Sequence, residues 1–212
     1  MNLILIGASG FIGSALLQEA LERGHNVTAI VTKPEKVQPH ANLKVVACDV
    51  NNTSALAQTM AGHEAVLSAF SGHAQKDVQG YFEKGFNSIM AAVKQAGVKR
   101  LLVVGGAGSL EVAPGKLLLE TDSFPAEYQP TAQGAYTALR LLRKEQELDW
   151  TMLSPAAEIF PGERTGSFRL GTEQLVQDDQ GRSRISTADY AVAMLNEVEH
   201  PAHSRRRFTL AY

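Results

Sequence analysis

Seven short apolar runs lie along the chain between polar or glycine-containing segments. They occupy residues 3–7, 27–31, 43–48, 65–70, 101–106, 150–154 and 207–212. Each run is nearly continuous in apolar character instead of alternating, which is typical of strands covered by helices on both faces. The pattern therefore predicts the strands of a mainly parallel sheet.

Helical periodicity fills several of the intervals between these runs. A stripe with helical spacing follows Gly10 and predicts a helix over 11–23, and a second stripe runs from Phe82 to Ala96. Further helices are predicted within 52–60, 138–150 and 186–200, the last capped by Ser186 or Thr187. The stripes consist of Ile12, Leu16 and Ala20 in the first helix, of Phe82, Phe86, Ile89, Val93 and Ala96 in the second, and of Leu139, Leu142 and Leu148 in the segment 138–150.

Strands that alternate with helices indicate right-handed crossovers and a doubly wound, Rossmann-type α/β fold. We expect a single domain over 1–212, with about seven strands and helices on both faces of the sheet. Residues 105–130 and 155–184 do not fit the alternation, and each follows a strand. They should therefore emerge at the carboxyl edge of the sheet, where open α/β sheets bind ligands. We expect them to form the loops of a site for a small-molecule substrate, here called the acceptor site.

Composition narrows the possible partners. The 212 residues are 44% hydrophobic and 20% charged, with a net charge of −2, which disfavours nucleic acid as a partner. The cluster Arg205–Arg207 is interpreted as a solvated turn before the last strand. No apolar run approaches the roughly 18 residues of a spanning helix, so we expect no membrane partner and a cytoplasmic protein. The single cysteine, Cys48, excludes an intrachain disulfide, and no metal site is assigned.

The stretch "IGASGFIG" contains the strongest candidate for a binding site. Gly7 would permit a tight turn, Gly10 would let the backbone approach a pyrophosphate, and Gly13 would let the helix pack closely on the strand. The spacing has one residue more than the Gly-x-Gly-x-x-Gly fingerprint, but a predicted strand precedes it and a predicted helix follows. We therefore predict a dinucleotide cradle at the helix N-terminus, with Phe11 and Ile12 among its residues. Ser9 would either cap the helix or donate to a phosphate.

The ends of the second and third strands carry the candidate contacts to adenosine. Thr32, Lys33 and Lys36 follow the second strand, and no acid precedes Glu35. A cation at this point accommodates a ribose 2′-phosphate, so the pattern favours NADPH, although NADH stays possible and the lysines are otherwise solvated surface residues. Asp49, with Val50 beside it, would either accept a hydrogen bond from the adenine amino group or cap the next helix.

Four stretches resemble an atypical short-chain dehydrogenase/reductase of the NmrA-like NAD(P)-binding family. The resemblance is to the group that contains NADH-flavin reductases, with biliverdin reductase B as a more distant relative. The stretches are "IGASGFIG", "VKRLLVVGGAGSLEVAPG", "LDWTMLSPAAEIFPGERTG" and residues 184–212. The resemblance covers essentially the whole chain. It implies hydride transfer from NAD(P)H to a flavin or similar planar small molecule, with the flavin a substrate and not a tightly bound group.

The resemblance also implies positions around the nicotinamide. The residues after the fourth strand would line the ribose and nicotinamide, those after the fifth would run below the nicotinamide, and those after the sixth would bound its pocket. Many relatives have arginine after the second strand, where this chain has Thr32, so the 2′-phosphate would fall to Lys33 and Lys36. The three nicotinamide segments are Ala69, Phe70 and Ser71, then Gly105 and Gly106, and finally Ser154 and Pro155.

One catalytic feature of short-chain dehydrogenases is missing from the sequence. None of the five tyrosines is followed by lysine at the fourth position, so Tyr-x-x-x-Lys is absent. Glycines stand where a serine is expected after the fifth strand, and Ser109 is the nearest hydroxyl and the one catalytic candidate. Two hypotheses remain: a reductase whose hydride transfer needs no dedicated acid, or a non-catalytic NAD(P) sensor. The sequence disfavours a sugar-nucleotide epimerase. We expect the protein to be a monomer or a homodimer.

Overall fold

A computed structural model of the protein describes residues 1–73 and 75–212. Five α-helices lie in this part of the chain: α1 (Phe11–Glu22), α2 (Thr53–Met60), α3 (Val78–Gln95), α4 (Gln129–Leu142) and α5 (Thr187–Glu199). The strands, in chain order, are β1 (Asn2–Ile6), β2 (Asn26–Val31), β3 (Leu43–Ala47), β4 (Ala65–Ser68), β5 (Arg100–Val104), β6 (Glu111–Ala113), β7 (Lys116–Leu117), β8 (Asp149–Ser154), β9 (Glu158–Phe160), β10 (Arg169–Gly171), β11 (Arg184–Ser186) and β12 (Arg206–Ala211).

The central sheet has eight strands in the described residues, in the order β10-β12-β8-β5-β4-β1-β2-β3. Its neighbouring strands are parallel except for β10, which runs antiparallel to β12. The predicted doubly wound, mainly parallel fold is confirmed. The strand beyond the predicted seven is β10, whose three residues are too few to produce a hydrophobic pattern.

Helices cover both faces of the sheet, as predicted. Buried residues of α1 and α5 pack on one face, among them Leu16 and Tyr190. The other face packs against α2, α3 and α4, with Phe86, Ile89 and Leu139 in its core. In the described residues no helix is both long and apolar enough to cross a membrane.

The predicted position of the fourth helix along the chain is wrong. The helix α4 ends at Leu142, and Leu148 lies in the turn before β8, where it is buried. The helix begins earlier, at Gln129, with a proline in its first turn. Apolar spacing reports burial, and Leu148 is buried because it leads into an interior strand and not because it belongs to a helix.

Several predicted strands end sooner than their apolar runs. The runs extend to Gly7, Phe70 and Gly106, whereas β1, β4 and β5 end at Ile6, Ser68 and Val104. The last residues of these runs therefore lie in turns at the carboxyl edge of the sheet. This edge contains the candidate site.

Candidate functional site

The glycine loop between β1 and α1 has a conformation that only glycine fits at two positions. Gly7 has a φ of +79°, and a Cβ there would lie 2.6 Å from the carbonyl oxygen of Ala69. A Cβ on Gly13 would lie 2.0 Å from the carbonyl oxygen of Gly7. The Gly7 N–H donates to the Ile30 carbonyl at 2.9 Å, which fixes the turn against β2. The loop is therefore a rigid turn and not a flexible connection.

The N-terminus of α1 is open toward solvent. Gly10 is the N-cap residue, and among the described side chains none caps this end. The prediction that Ser9 caps the helix is wrong, because its exposed side chain makes no cap hydrogen bond. The first N–H groups of a helix have no intrahelical partner and carry the positive end of its dipole. This end therefore offers free donors to an anion.

Gly10 supports the fit of a dinucleotide here. A Cβ built on Gly10 would meet only the Gly7 carbonyl oxygen, at 3.2 Å, so the space beyond it is open. The backbone at Gly10 adopts an extended conformation that any residue tolerates. The backbone conformation alone therefore does not require glycine at this position. Glycine leaves room for a phosphate group to approach the backbone directly.

The residues after β2 lie beside this loop. Thr32, Lys33 and Lys36 are all exposed, and Lys33 precedes a single 3₁₀ turn, Pro34–Lys36. Among the ion pairs of the described residues, none includes Lys33 or Lys36. Both ammonium groups are therefore available to a ligand that lies across the carboxyl end of β2.

Of the two predicted site residues after β3, one is exposed and the other is buried. Asp49 is exposed and accepts hydrogen bonds from the backbone and side-chain nitrogens of Asn51, at 2.9 and 3.0 Å. The prediction that Asp49 might cap α2 is wrong, because Asn52 is the cap and accepts from the Ala55 N–H at 3.1 Å. A contact from Asp49 to adenine stays a prediction. Val50 is buried in the core.

Only some of the residues predicted to line the nicotinamide after β4 lie at the carboxyl edge of the sheet. Ser71 is exposed there, and Ala69 is half-buried. The Phe70 ring instead turns into the core and stacks on Phe82, with centroids 5.7 Å apart. Gly85 accommodates that ring, since a Cβ on Gly85 would lie 2.5 Å from it. Phe70 can therefore face a cofactor only through its backbone.

The segments after β5 and β8 pack tightly on each other. The Gly105 N–H donates to the Leu153 carbonyl at 2.8 Å, and a Cβ on Gly105 would lie 2.8 Å from Met152. A Cβ on Gly106 would lie 3.0 Å from that of Ala135 in α4. Ser154 and Pro155 are buried directly beside these glycines. The four residues form a closely packed floor at this edge of the sheet.

Ser109 lies inside this floor and not at its surface. Its side chain is buried, donates to the Gly106 carbonyl at 3.4 Å and accepts from Arg207 Nη1 at 3.3 Å. An acceptor cannot reach the hydroxyl without displacing the segment that follows β5. The structure therefore gives Ser109 a packing role, and its catalytic role stays a prediction without support.

Arg207 is the residue that sequence reasoning missed. The cluster Arg205–Arg207 was predicted to be a solvated turn, and Arg205 and Arg206 are exposed. The prediction is wrong for Arg207, which belongs to β12 and has a side chain only 1% exposed. Its guanidinium pairs with Glu173, which lies 34 residues away in sequence. Nothing in the local pattern of three arginines distinguishes the third one.

Two of the tyrosines have hydroxyl groups that are fully engaged in the fold. The hydroxyl of Tyr190 donates to the Leu153 carbonyl at 2.7 Å, and complete burial raises the pKa of Tyr190 well above its ordinary value. The hydroxyl of Tyr212 donates to Asp189 at 2.7 Å, and burial raises the pKa of Tyr212 as well. Neither group is arranged to deliver a proton to a substrate.

The segment 155–184 is fastened to two helices. Arg164 reaches Glu19 of α1 through two hydrogen bonds, at 2.8 and 2.9 Å. Asp189 of α5 accepts from the Thr165 N–H and the Gly166 N–H, at 2.9 and 2.7 Å. The segment is therefore an ordered wall near the carboxyl edge.

Comparisons with known proteins agree with this geometry. A family model described as NAD(P)H-binding matches residues 7–198. The uncharacterised protein YwnB of Bacillus subtilis is 42% identical over 213 aligned positions, and the alignment covers 99% of this chain and 98% of YwnB. The crystal structure of a proposed epimerase from Bacteroides thetaiotaomicron is 45% identical, with a TM-score of 0.93 and coverage of 100% of this chain and 96% of that one. A proposed NADH-flavin reductase from Streptococcus pneumoniae is 35% identical, with a TM-score of 0.85 and coverage of 100% and 99%.

Proposed function

This chain belongs to the NAD(P)H-binding family, and on that premise we propose that it is an oxidoreductase that prefers NADPH and reduces a flavin or flavin-like planar acceptor. The observation that carries the proposal is the open N-terminus of α1 at Gly10, beside two exposed lysines. The similarity to a proposed NADH-flavin reductase supports the acceptor class. We expect the reaction to take place in the cytoplasm.

Each part of the carboxyl edge has a distinct task in this proposal. The first N–H groups of α1 bind the pyrophosphate, and Lys33 and Lys36 bind the ribose 2′-phosphate. When bound, reduced nicotinamide supplies the hydride. The floor at Gly105 and Gly106 orients the two planar rings and excludes water from one side. Positioning of this kind can provide most of the catalysis when no proton donor is needed in the hydride step.

The sequence lacks the residue pair that the chemistry of a short-chain dehydrogenase or epimerase would need, despite the similarity to a proposed epimerase. Short-chain dehydrogenase chemistry at a carbonyl or alcohol uses a tyrosine activated by a lysine four residues later, and this pair is absent from the sequence. Ser109 is buried and does not replace it. The residues therefore favour hydride transfer to an acceptor that takes its proton from solvent.

Turnover is the direct test of this proposal. Purified protein is mixed with NADPH or NADH and with FMN, FAD or riboflavin, and oxidation of the nicotinamide is followed by its absorbance. We expect oxidation above the background without enzyme, and faster oxidation of NADPH than of NADH at low concentration. Tight binding of both oxidised and reduced cofactor without any turnover would contradict the reductase and favour a non-catalytic sensor.

The preference for NADPH should depend on Lys33. Substituting Lys33→Glu removes a charge-assisted bond to the 2′-phosphate and adds a repelling charge, so the Kd for NADPH should rise by about tenfold or more. The Kd for NADH should change little. Lys44→Glu is the matched control, because Lys44 is exposed in β3 but lies toward its amino end. A Lys33→Glu variant that keeps its preference for NADPH would show that other residues recognise the phosphate.

A further inference from the structure

Arg207 connects the two segments that form the floor of the site. Its Nη1 atom lies 3.3 Å from Ser109 Oγ, 3.4 Å from the Ser109 carbonyl oxygen and 3.5 Å from Ser154 Oγ. Ser109 belongs to the segment after β5, and Ser154 is the last residue of β8. One buried guanidinium thus contacts both segments.

These contacts are long for hydrogen bonds, and the Nε atom of Arg207 is buried without a partner in the described residues. The shortest contact of the guanidinium is with the carboxylate of Glu173. A buried cation is costly unless it is paired, so the position of Arg207 depends on that carboxylate. The weak bonds to the two serines would not hold the guanidinium in place by themselves.

Glu173 also ties the floor to neighbouring elements. Its carboxylate accepts a hydrogen bond from Arg143, at the end of α4, at 2.7 Å. Its carbonyl accepts from the Glu111 N–H at 2.9 Å, and the Leu175 N–H donates back to the Glu111 carbonyl at 2.9 Å. The segments 105–120 and 173–175 are therefore linked through both backbone and side chain.

The Glu173 carboxylate is charged at neutral pH in this arrangement. Burial by itself raises the pKa of Glu173, but the hydrogen bond and charge of Arg207, together with Arg143, outweigh it and hold the pKa below its ordinary value. The carboxylate is nevertheless 43% exposed, at the outer end of the ion pair. The isosteric amide therefore fits the same space and removes the charge that pairs with the buried guanidinium of Arg207.

We propose that Glu173 is a positioning residue that, through Arg207, holds the segment Gly105–Leu110 in the conformation that the planar acceptor requires. The inference rests on the proposed function, since it concerns the acceptor of that same reaction. It assigns no contact between Glu173 and the acceptor. The floor moves when the pair is broken, and the acceptor then loses part of its platform.

The order of the strands separates the floor from the proposed phosphate contacts. The glycine loop follows β1 and the lysines follow β2, whereas Gly105–Leu110 follows β5, on the far side of β4. Loss of the Glu173 carboxylate should therefore affect the acceptor and spare the pyrophosphate and 2′-phosphate contacts. A defect that was only a loss of folding would weaken both.

The test compares E173Q with the matched control E147Q. Glu147 forms an ion pair with Lys94 at 3.0 Å, and its side chain is 69% exposed. It lies just before β8, at the amino end of that strand and away from the edge that contains the site. For E173Q we expect the KM for FMN to rise about tenfold, the scale of one lost bond to a charged group, with the Kd for NADPH within about twofold of wild type. E147Q should match wild type in both constants.

Limited trypsin digestion gives a second readout that needs no turnover. Lys116 is exposed in β7, directly after the floor segment, and the Leu118 N–H donates to the Leu110 carbonyl at 2.8 Å. If Glu173 holds this segment, cleavage after Lys116 should be faster in E173Q than in wild type and E147Q.

The outcomes separate the two proposals. Turnover by wild type with an unchanged KM for FMN in E173Q, or with unchanged cleavage after Lys116, would overturn the role of Glu173 and leave the proposed function standing. Equal losses of NADPH and FMN affinity would reduce Glu173 to a folding role and overturn the inference as well. Absence of turnover in wild type would instead overturn the proposed function, and the acceptor role of Glu173 with it.

Discussion

Replacing Gly10 with alanine is expected to weaken NADPH binding by about 10- to 100-fold while lowering the free energy of unfolding by only about 1 kcal/mol. The added methyl group would meet only the Gly7 carbonyl oxygen, at 3.2 Å, and would otherwise project into the space in front of the α1 N-terminus. It would push the pyrophosphate away from N–H groups whose bonds to a charged ligand are each about 1.5–3 kcal/mol. Isothermal titration with NADPH and a thermal unfolding curve measure the two effects.

Two further variants in the same loop show whether this loss concerns binding or folding. In Gly13→Ala the new Cβ would lie 2.0 Å from the Gly7 carbonyl oxygen, so we expect destabilisation of about 1–3 kcal/mol or more. Ser14→Ala, on an exposed side chain one turn away, should behave like wild type in both measurements. Wild-type affinity for NADPH in the Gly10→Ala protein would contradict the assignment of the cradle.

Replacing Glu197 with alanine should lower the free energy of unfolding by about 3 kcal/mol. Glu197 is almost completely buried and pairs with Arg100 Nη2 at 2.8 Å, between α5 and β5. It also accepts from the His203 N–H at 2.9 Å and contacts His203 Nδ1 at 2.8 Å. The substitution removes the nearer carboxylate of the buried Arg100 guanidinium and leaves the partly exposed Asp149 at 3.3 Å. Urea unfolding gives the free energy, and Glu22→Ala on the exposed surface of α1 is the control.

The effect of Glu197 should depend on pH in one direction. Burial raises the pKa of Glu197, but hydrogen bonds from His203 and from the backbone N–H groups of His203 and Ala202 outweigh it, so the folded pKa lies below the ordinary value. Its stabilisation is then complete above the unfolded pKa of about 4.3 and is lost as the pH falls through the lower folded pKa. The difference between wild type and Glu197→Ala should therefore be full at neutral pH and shrink in acid. A constant difference across this range would contradict the role of the charge.

The sequence predicts an element well when its residues are large and apolar. The stripe from Phe82 to Val93 lies within α3 because four large or medium side chains, Phe82, Phe86, Ile89 and Val93, are buried in the same core. The start of α4 escaped prediction because its buried residues there are Ala132, Gly134 and Ala135. Small residues are needed there, since Gly106 and Gly108 approach that helix closely. Their weak apolar signal resembles that of a loop.

The glycine loop was predictable because its requirements are local, whereas the ion pair that supports the floor was not. Gly7 and Gly13 are fixed by contacts within the loop and with the adjacent strands, and their spacing is visible in the sequence. The ion pair of Arg207 and Glu173 depends on β12 lying beside β8 and on the return of the chain between them. Only the folded topology brings these two residues together. Sequence reasoning therefore located the glycine loop and missed the ion pair between Arg207 and Glu173.

The central claim, hydride transfer from NADPH to a planar acceptor at this sheet edge, is tested most directly by single-turnover oxidation of stereospecifically labelled NADPH with FMN. Enzyme in excess is mixed with NADPH deuterated at one or the other face of C4, and loss of the nicotinamide absorbance is followed. The floor at Gly105 and Gly106 would cover one face of a bound nicotinamide, so hydride would leave from the other face and we expect one labelled cofactor to react more slowly and the other at the unlabelled rate. Equal rates for both labelled cofactors would contradict this account. So would oxidation of NADPH no faster than its oxidation by FMN without enzyme.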